Sequence, residues 1–262
     1  MKLGIIGGGH LGSSLVKGLL GSGLIRAENL VVSDLDRQKI HELAKLYVDI
    51  TPDNKRLVKD SDVVFIAVKP DMVEEVLKEI EPFSSGKLFV SVAAGVSIKF
   101  IESRTKARVI RAMPNICGSI IQMASAFSLG SKATKNDEKL VETFFGGMGV
   151  TFKVDEKLLE AVTGLSGSGP AFFYYLIRAM RDAGIELGLP EKVALKLAAQ
   201  TAKGAGGMVL NSKEKLDDLI ARVCTPKGTT IEGIKVLESK KVADAVKRAV
   251  AASTKRAKAL SK

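Results

Sequence analysis

The sequence predicts a doubly wound parallel α/β sheet over residues 1–154 followed by an all-helical region over residues 155–262. Three observations carry this. The chain opens with a short apolar run that stops at glycines and passes into a helical apolar pattern. Short apolar runs and helical patterns then alternate as far as Lys153, which is the signature of a parallel sheet covered on both faces. Beyond Asp155 the helical periodicity continues and the strand signal disappears.

Residues 2–7 are the first strand, and Leu11, Leu15, Leu19 and Leu20 mark the helix after the glycines. The spacing next predicts strand 30–33, helix 36–46, short strand 47–50, helix 54–59 and strand 63–68. Helix 72–80, strand 88–92, helix 98–103 and strand 108–111 follow, then a further strand 124–129, helix 136–145 and last strand 150–153. In the second region, segments 160–187, 191–210, 215–221, 229–239 and 242–260 read as helices separated by Gly or Pro punctuation. The last of these carries a basic, solvated face.

Length and composition limit the function. The 262 residues, 46% hydrophobic and 26% charged, describe an ordinary globular protein rather than a disordered, collagenous or disulfide-stapled one. Cys117, Cys224, His10 and His41 lack the paired close spacing of a zinc site, so no metal is expected. No run of about 18 apolar residues occurs, so no membrane span is expected, and the few thiols without a secretory leader point to a cytoplasmic protein. The net charge of +11 admits nucleic acid as a partner. Its basic residues are spread along the chain and often sit beside acids, which favours a solvated surface that attracts small anions over a nucleic-acid interface.

The glycines at the first turn carry the chemistry. Gly7-Gly8-Gly9-His10-Leu11-Gly12 fits G-x-G-x-x-G between the first strand and first helix, where the backbone can approach a pyrophosphate at a helix N-terminus. A Rossmann-like dinucleotide-binding domain follows from that context. The second strand ends at Ser33-Asp34 with Arg37 close behind. An acid there suits the ribose 2′-hydroxyl of NADH, whereas Ser with a nearby Arg suits the 2′-phosphate of NADPH, and the choice stays open. Ala67-Val68-Lys69-Pro70, at the end of another strand, borders the same site, with Lys69 facing phosphate or ribose.

Taken with Ala67-Val68-Lys69-Pro70, the motifs Ser91-Val92-Ala93-Ala94-Gly95-Val96, Ile110-Arg111-Ala112-Met113-Pro114-Asn115, Gly164-Leu165-Ser166-Gly167-Ser168-Gly169-Pro170-Ala171 and Pro226-Lys227-Gly228-Thr229-Thr230-Ile231 resemble, in order, the signatures of the pyrroline-5-carboxylate reductase family. The resemblance implies reduction of 1-pyrroline-5-carboxylate to L-proline by NADPH or NADH, the last step of proline biosynthesis. It also implies a homodimer or larger homo-oligomer built through the helical domain, with no nucleic-acid or membrane partner. By the same resemblance, Gly9, His10, Leu11 and Gly12 form the pyrophosphate turn, Ser33 and Asp34 the adenosine side, and Asn54 a cofactor contact. Residues 67–70, Ala93, Ala94, Gly95 and Asn115 line the nicotinamide side, and Gly228, Thr229 and Thr230 hold the substrate carboxylate. A helix start suits that last role, because its free N–H groups and hydroxyls attract anions. This chain departs from the family pattern at Lys227, where glycine is usual, and at Ile116-Cys117, where Thr-Pro is usual. Lys227 either adds positive charge near a carboxylate or marks a changed loop or substrate.

The sequence contains no evident His-Asp pair, reactive-cysteine constellation or carboxylate dyad. A protonated cyclic imine accepts hydride without a strong protein acid, so positioning and electrostatics carry the reaction, with Thr230 the candidate for orienting a proton. Two alternatives stand beside this expectation: a reductase of another cyclic imino acid, and a non-catalytic nucleotide-sensing protein on the same fold.

Overall fold

The computed structural model describes residues 1–260, without the side chain of Arg37; the assignments made to that side chain and to residues 261–262 lie outside the described residues. The chain divides into two compact units: Met1–Ser168 with the C-terminal stretch from Ala251, and Gly169–Val250.

In the first unit, β1 (Leu3–Ile6), α1 (His10–Gly21), β2 (Leu30–Ser33), α2 (Arg37–Ala44), β3 (Asp49–Thr51) and α3 (Asn54–Asp60) build one half of the sheet. The other half comprises β4 (Val63–Ile66), α4 (Val73–Ile80), β5 (Leu88–Ser91), α5 (Ile98–Glu102), β6 (Arg108–Met113), β7 (Met123–Leu129), α6 (Lys135–Gly147) and β8 (Gly149–Lys153). The order across the sheet is β3-β2-β1-β4-β5-β6-β7-β8, and the reversal of order beside β1 is where a doubly wound fold opens its ligand crevice. Strands β1, β2, β4 and β5 are buried along their whole length, which explains why they read as continuous apolar runs. Alternate residues of β4 serve opposite layers. Val63 and Phe65 join the cluster with Leu15, Leu19 and Phe145, while Val64 and Ile66 join Leu57, Leu77 and Phe89. The Phe65 ring meets Phe145 edge-on at 6.1 Å.

One expectation about the sheet is corrected. It is not wholly parallel, because β7 runs antiparallel to β6, with Met113 opposite Ala126 and Ile110 opposite Leu129. The connection between Met113 and Met123 holds only a 3₁₀ turn, Ile116–Ile120, and a parallel crossover needs a dozen or more residues. After the reversal, β7, α6 and β8 restore a parallel unit. Strand β4 also stops at Ile66, two residues earlier than its apolar run suggests, because Ala67 and Val68 turn out toward the crevice.

No strand follows Lys153 among the described residues. The continuous helix expected over 160–187 is instead α7 (Leu159–Val162), a π turn at Thr163–Gly167, and α8 (Gly169–Glu186). Pro170 has no N–H to return to the Ser166 carbonyl, so ordinary i→i−4 bonding cannot run through this segment. The second unit continues with α9 (Glu191–Asn211), α10 (Leu216–Val223), α11 (Thr229–Ser239) and the start of α12 (Val242–Leu260). Gly184 of α8 faces Ala194 of α9, so small residues let these helices approach closely. Phe173, Tyr174, Tyr175 and Leu176 on α8 are exposed in the single chain.

Candidate active site

The glycine turn between β1 and α1 is shaped by backbone contacts. Gly7 has φ +107, and a Cβ there would press to 2.7 Å from the Ala67 carbonyl carbon; its N–H donates to the Ser33 carbonyl at 2.7 Å. A Cβ on Gly12 would overlap the Gly7 carbonyl oxygen. Gly9 differs, since a Cβ there would meet nothing within 4 Å. It caps α1 without a side-chain bond, so the N-terminus of α1 opens into free space.

That space is a cavity of about 800 Å³, within the range of small-molecule and cofactor sites. Of the residues singled out in the sequence, Gly9, His10, Leu11, Ala67, Val68, Lys69, Pro70, Ala93, Ala94 and Asn115 line it. The rest do not. Gly7 and Gly12 pack against the backbone behind the turn, while Gly95, Ser33, Asp34 and Asn54 lie outside the lining. Gly228, Thr229 and Thr230 belong to the second unit, at the start of α11. Glycine packing, an uncapped helix start and a cavity of this size suit a dinucleotide, with the pyrophosphate at Gly9–Leu11.

Hydrogen bonds fix the walls. Both carboxylate oxygens of Asp34 accept backbone N–H groups, from Gly8 at 2.7 Å and from Asp36 at 2.8 Å. Ser33 is fully buried and donates its hydroxyl to Asn54 Oδ1 at 2.6 Å, and Asn54 donates to Glu79 at 2.8 Å. Asn115 is 7% exposed, and its amide is committed to protein: Oδ1 accepts from Cys117 N–H and Ala124 N–H, and Nδ2 donates to the Ser166 carbonyl. Beneath this loop the buried guanidinium of Arg111 pairs with Glu160 at 2.8 Å and Glu156 at 3.2 Å. Burial pushes the Cys117 thiol up, which makes it a poor nucleophile.

Several lining residues escaped the sequence reasoning. Lys39 and Glu42 contribute from one face of α2, as their three-residue spacing on a helix allows. Thr163, Gly167 and Ser168 come from the π turn, inside or beside the Gly164–Ala171 motif. Met113 and Pro114 precede Asn115 in its own motif.

In the second unit, α11 begins after a turn in which Lys227 has φ +61, a conformation that favours glycine. The turn therefore holds a lysine in a left-handed conformation. The α11 N-terminus has no side-chain cap. Among the described residues, no group of three or more His, Cys, Asp or Glu is placed to hold a metal ion, and no helix is long and apolar enough to cross a membrane.

Comparison with known proteins places this architecture. The family profile described as pyrroline-5-carboxylate reductase dimerisation matches residues 156–260, and the one described as NADP oxidoreductase, coenzyme F420-dependent, matches residues 2–95. Among curated proteins, pyrroline-5-carboxylate reductase of Methanosarcina acetivorans is 39% identical over 100% of this chain and 98% of its own length. That of Arabidopsis thaliana is 38% identical over 99% of this chain and 95% of its own. Among solved structures, a pyrroline-5-carboxylate reductase from Coxiella burnetii superposes with a TM-score of 0.90 at 32% identity, covering 100% of this chain and 98% of that one. The Plasmodium falciparum pyrroline carboxylate reductase with NADP bound gives a TM-score of 0.90 at 28% identity over the same shares. Near-complete coverage in both directions, at this identity and with this fold, means that the chain belongs to the pyrroline-5-carboxylate reductase family.

Proposed function

We propose that the protein reduces 1-pyrroline-5-carboxylate to L-proline, using NADH or NADPH. The observation that carries this is the 39% identity to a pyrroline-5-carboxylate reductase across the whole chain, not one domain of it. The bound nicotinamide supplies the hydride. Gly9, His10 and Leu11 present the α1 N-terminus to the pyrophosphate, and Lys69, exposed on the lip of the cavity, adds a cation for phosphate or ribose. Ala67, Val68, Ala93 and Ala94 give the remaining wall small, apolar surfaces against which a flat ring can lie. Asn115 keeps the neighbouring loop in place.

The turns on that side bring hydroxyls, at Thr163 and Ser168, rather than strong acids. That suits an imine whose own nitrogen carries the proton. Gly228, Thr229 and Thr230 hold the substrate carboxylate at the uncapped start of α11, and Thr230 orients any proton still to be delivered. In this reading residues 1–154 bind the nucleotide and residues 155–262 bind the substrate and form the homo-oligomer, whose interface covers the exposed side chains of α8. A cytoplasmic location, without nucleic acid or membrane as partner, belongs to the same proposal.

The test is nicotinamide absorbance with purified protein and 1-pyrroline-5-carboxylate, run beside a six-membered cyclic imino acid. Faster turnover of the five-membered ring supports the proposal. Faster turnover of the larger ring moves the substrate to another imino acid and gives Lys227 a part in that change. Nucleotide binding without reduction of either would mean a nucleotide sensor.

A further inference from the structure

We propose that this chain selects NADH over NADPH through the fixed carboxylate of Asp34. The inference rests on the reading of the cavity as a nicotinamide dinucleotide site. In a doubly wound sheet the end of β2 faces the adenosine ribose, where an acid accepts the 2′-hydroxyl and a hydroxyl with a nearby Arg takes a 2′-phosphate. Both signals occur here in the sequence, as Asp34 on one side and Ser33 with Arg37 on the other. The structure separates Ser33 from Asp34.

Ser33 is withdrawn from the contest. Its side chain is fully buried, and its only hydroxyl proton goes to Asn54 Oδ1 at 2.6 Å. The Asn54 amide is in turn held by Glu79 at 2.8 Å, so the pair points into the protein. Asp34 stands at the loop instead. Gly8 N–H holds one carboxylate oxygen at 2.7 Å and Asp36 N–H holds the other at 2.8 Å. Swinging the carboxylate away from an incoming anion would break both bonds. Each oxygen keeps a further lone pair, so the held carboxylate still accepts a sugar hydroxyl. A 2′-phosphate offers no such donor and brings about two negative charges beside a fixed one.

Among the described side chains, the two that α2 adds to the cavity wall do not reverse this. Lys39 lines the cavity, but its ammonium lies 3.3 Å from Asp36 Oδ2. Glu42 lines it too and brings a second carboxylate, paired with Lys45 at 2.6 Å.

The experiment is a titration of purified protein with NADH and with NADPH, each read by nicotinamide fluorescence, on the wild type and on Asp34→Asn, with Tm measured for both. Wild type is expected to bind NADH about tenfold or more tightly than NADPH, a difference of about 1.4 kcal/mol. Asp34→Asn is expected to close most of that gap, chiefly by binding NADPH better. Equal affinities, or tighter NADPH binding, in the wild type overturn the inference while leaving the cavity a dinucleotide site, and would give Arg37 the deciding role. A gap that survives in Asp34→Asn overturns the assignment to Asp34. Should Asp34→Asn not fold, the wild-type ratio still decides whether NADH is preferred. Binding of neither nucleotide refutes the reading of the cavity, and this inference with it.

Discussion

Asn115 donates its side-chain amide to the carbonyl of Ser166 at 3.1 Å, and that carbonyl is the one Pro170, four residues on, has no N–H to serve. The same side chain accepts from Cys117 N–H at 3.2 Å and Ala124 N–H at 3.4 Å, so one buried residue ties the end of β6, the start of β7 and the π turn together. Asn115→Ala leaves these backbone groups without partners, at a cost of about 2 kcal/mol. For a domain of this size, Tm should fall by roughly 4–8 °C. Nicotinamide affinity should fall with it, because Pro114 and Ile116 in the cavity wall are adjacent in sequence. An unchanged Tm would show that the contact is not structural.

The glycine turn offers a way to separate folding from binding. In Gly9→Ala the added methyl meets no protein atom within 4 Å and the backbone φ of −65 is ordinary, so Tm should stay within about 2 °C of wild type. The methyl enters the space proposed for the pyrophosphate, and nucleotide affinity should drop about tenfold or more. Gly12→Ala is expected to fail differently, since its methyl overlaps the Gly7 carbonyl, and should lower Tm as well. Calorimetry and a nucleotide titration on both variants check this; a Gly9→Ala protein with wild-type affinity would move the pyrophosphate elsewhere.

Arg111 is 2% exposed and holds Glu156 and Glu160, while Glu156 Oε1 also accepts the Ile98 N–H at the start of α5. Arg111→Ala would leave two neighbouring acids without their shared cation, and removing one partner of a buried ion cluster costs about 3–5 kcal/mol. Urea denaturation should show that loss. Adding Glu160→Gln to Arg111→Ala should restore part of it, and no recovery would point to lost packing rather than charge.

Asp137 carries a pH dependence of definite sign. Burial pushes its carboxyl up, but Arg108, bonded at 2.8 and 3.1 Å, and Thr134, through N–H and hydroxyl, outweigh that and hold it below the ordinary carboxylate range. A folded-state pKa below the unfolded one stabilises the protein above the unfolded value and loses that contribution as pH falls through the folded value. Asp137→Asn should therefore be less stable than wild type by about 2 kcal/mol at pH 7, with the difference shrinking below about pH 4. Urea midpoints at neutral and acidic pH test this; a difference that grows on acidification contradicts it.

Lys227 sits at φ +61 in an exposed turn. A left-handed conformation costs a residue with a Cβ about 1–2 kcal/mol, and glycine gives back about 0.5–1 kcal/mol through its freer unfolded chain. Lys227→Gly should then raise stability by about 0.5 kcal/mol or slightly more. A lower urea midpoint would mean that the lysine side chain makes a stabilising contact that outweighs the strain.

Much of this protein was determined by local pattern. Fully buried strands such as β1 and β4 must be apolar on both faces, so their runs show directly in the sequence, as does the glycine turn, where Gly7 and Gly12 have no room for a Cβ. The cavity-lining part of the site follows for the same reason, because Gly9–Leu11 and Ala67–Pro70 are turns set by their own residues. Tertiary structure decided the rest. The reversal of β7 depends on how few residues separate it from β6, and, although Pro170 marks in the sequence where helical bonding fails, the partner of the Ser166 carbonyl it leaves open is the distant Asn115. Ser33 and Asp34 are adjacent in sequence and looked equally available to a nucleotide; only their partners, Asn54 for one and the Gly8 N–H for the other, give them different roles. A hydrogen bond between residues far apart along the chain leaves no periodic trace in it, which is why these assignments needed the folded structure.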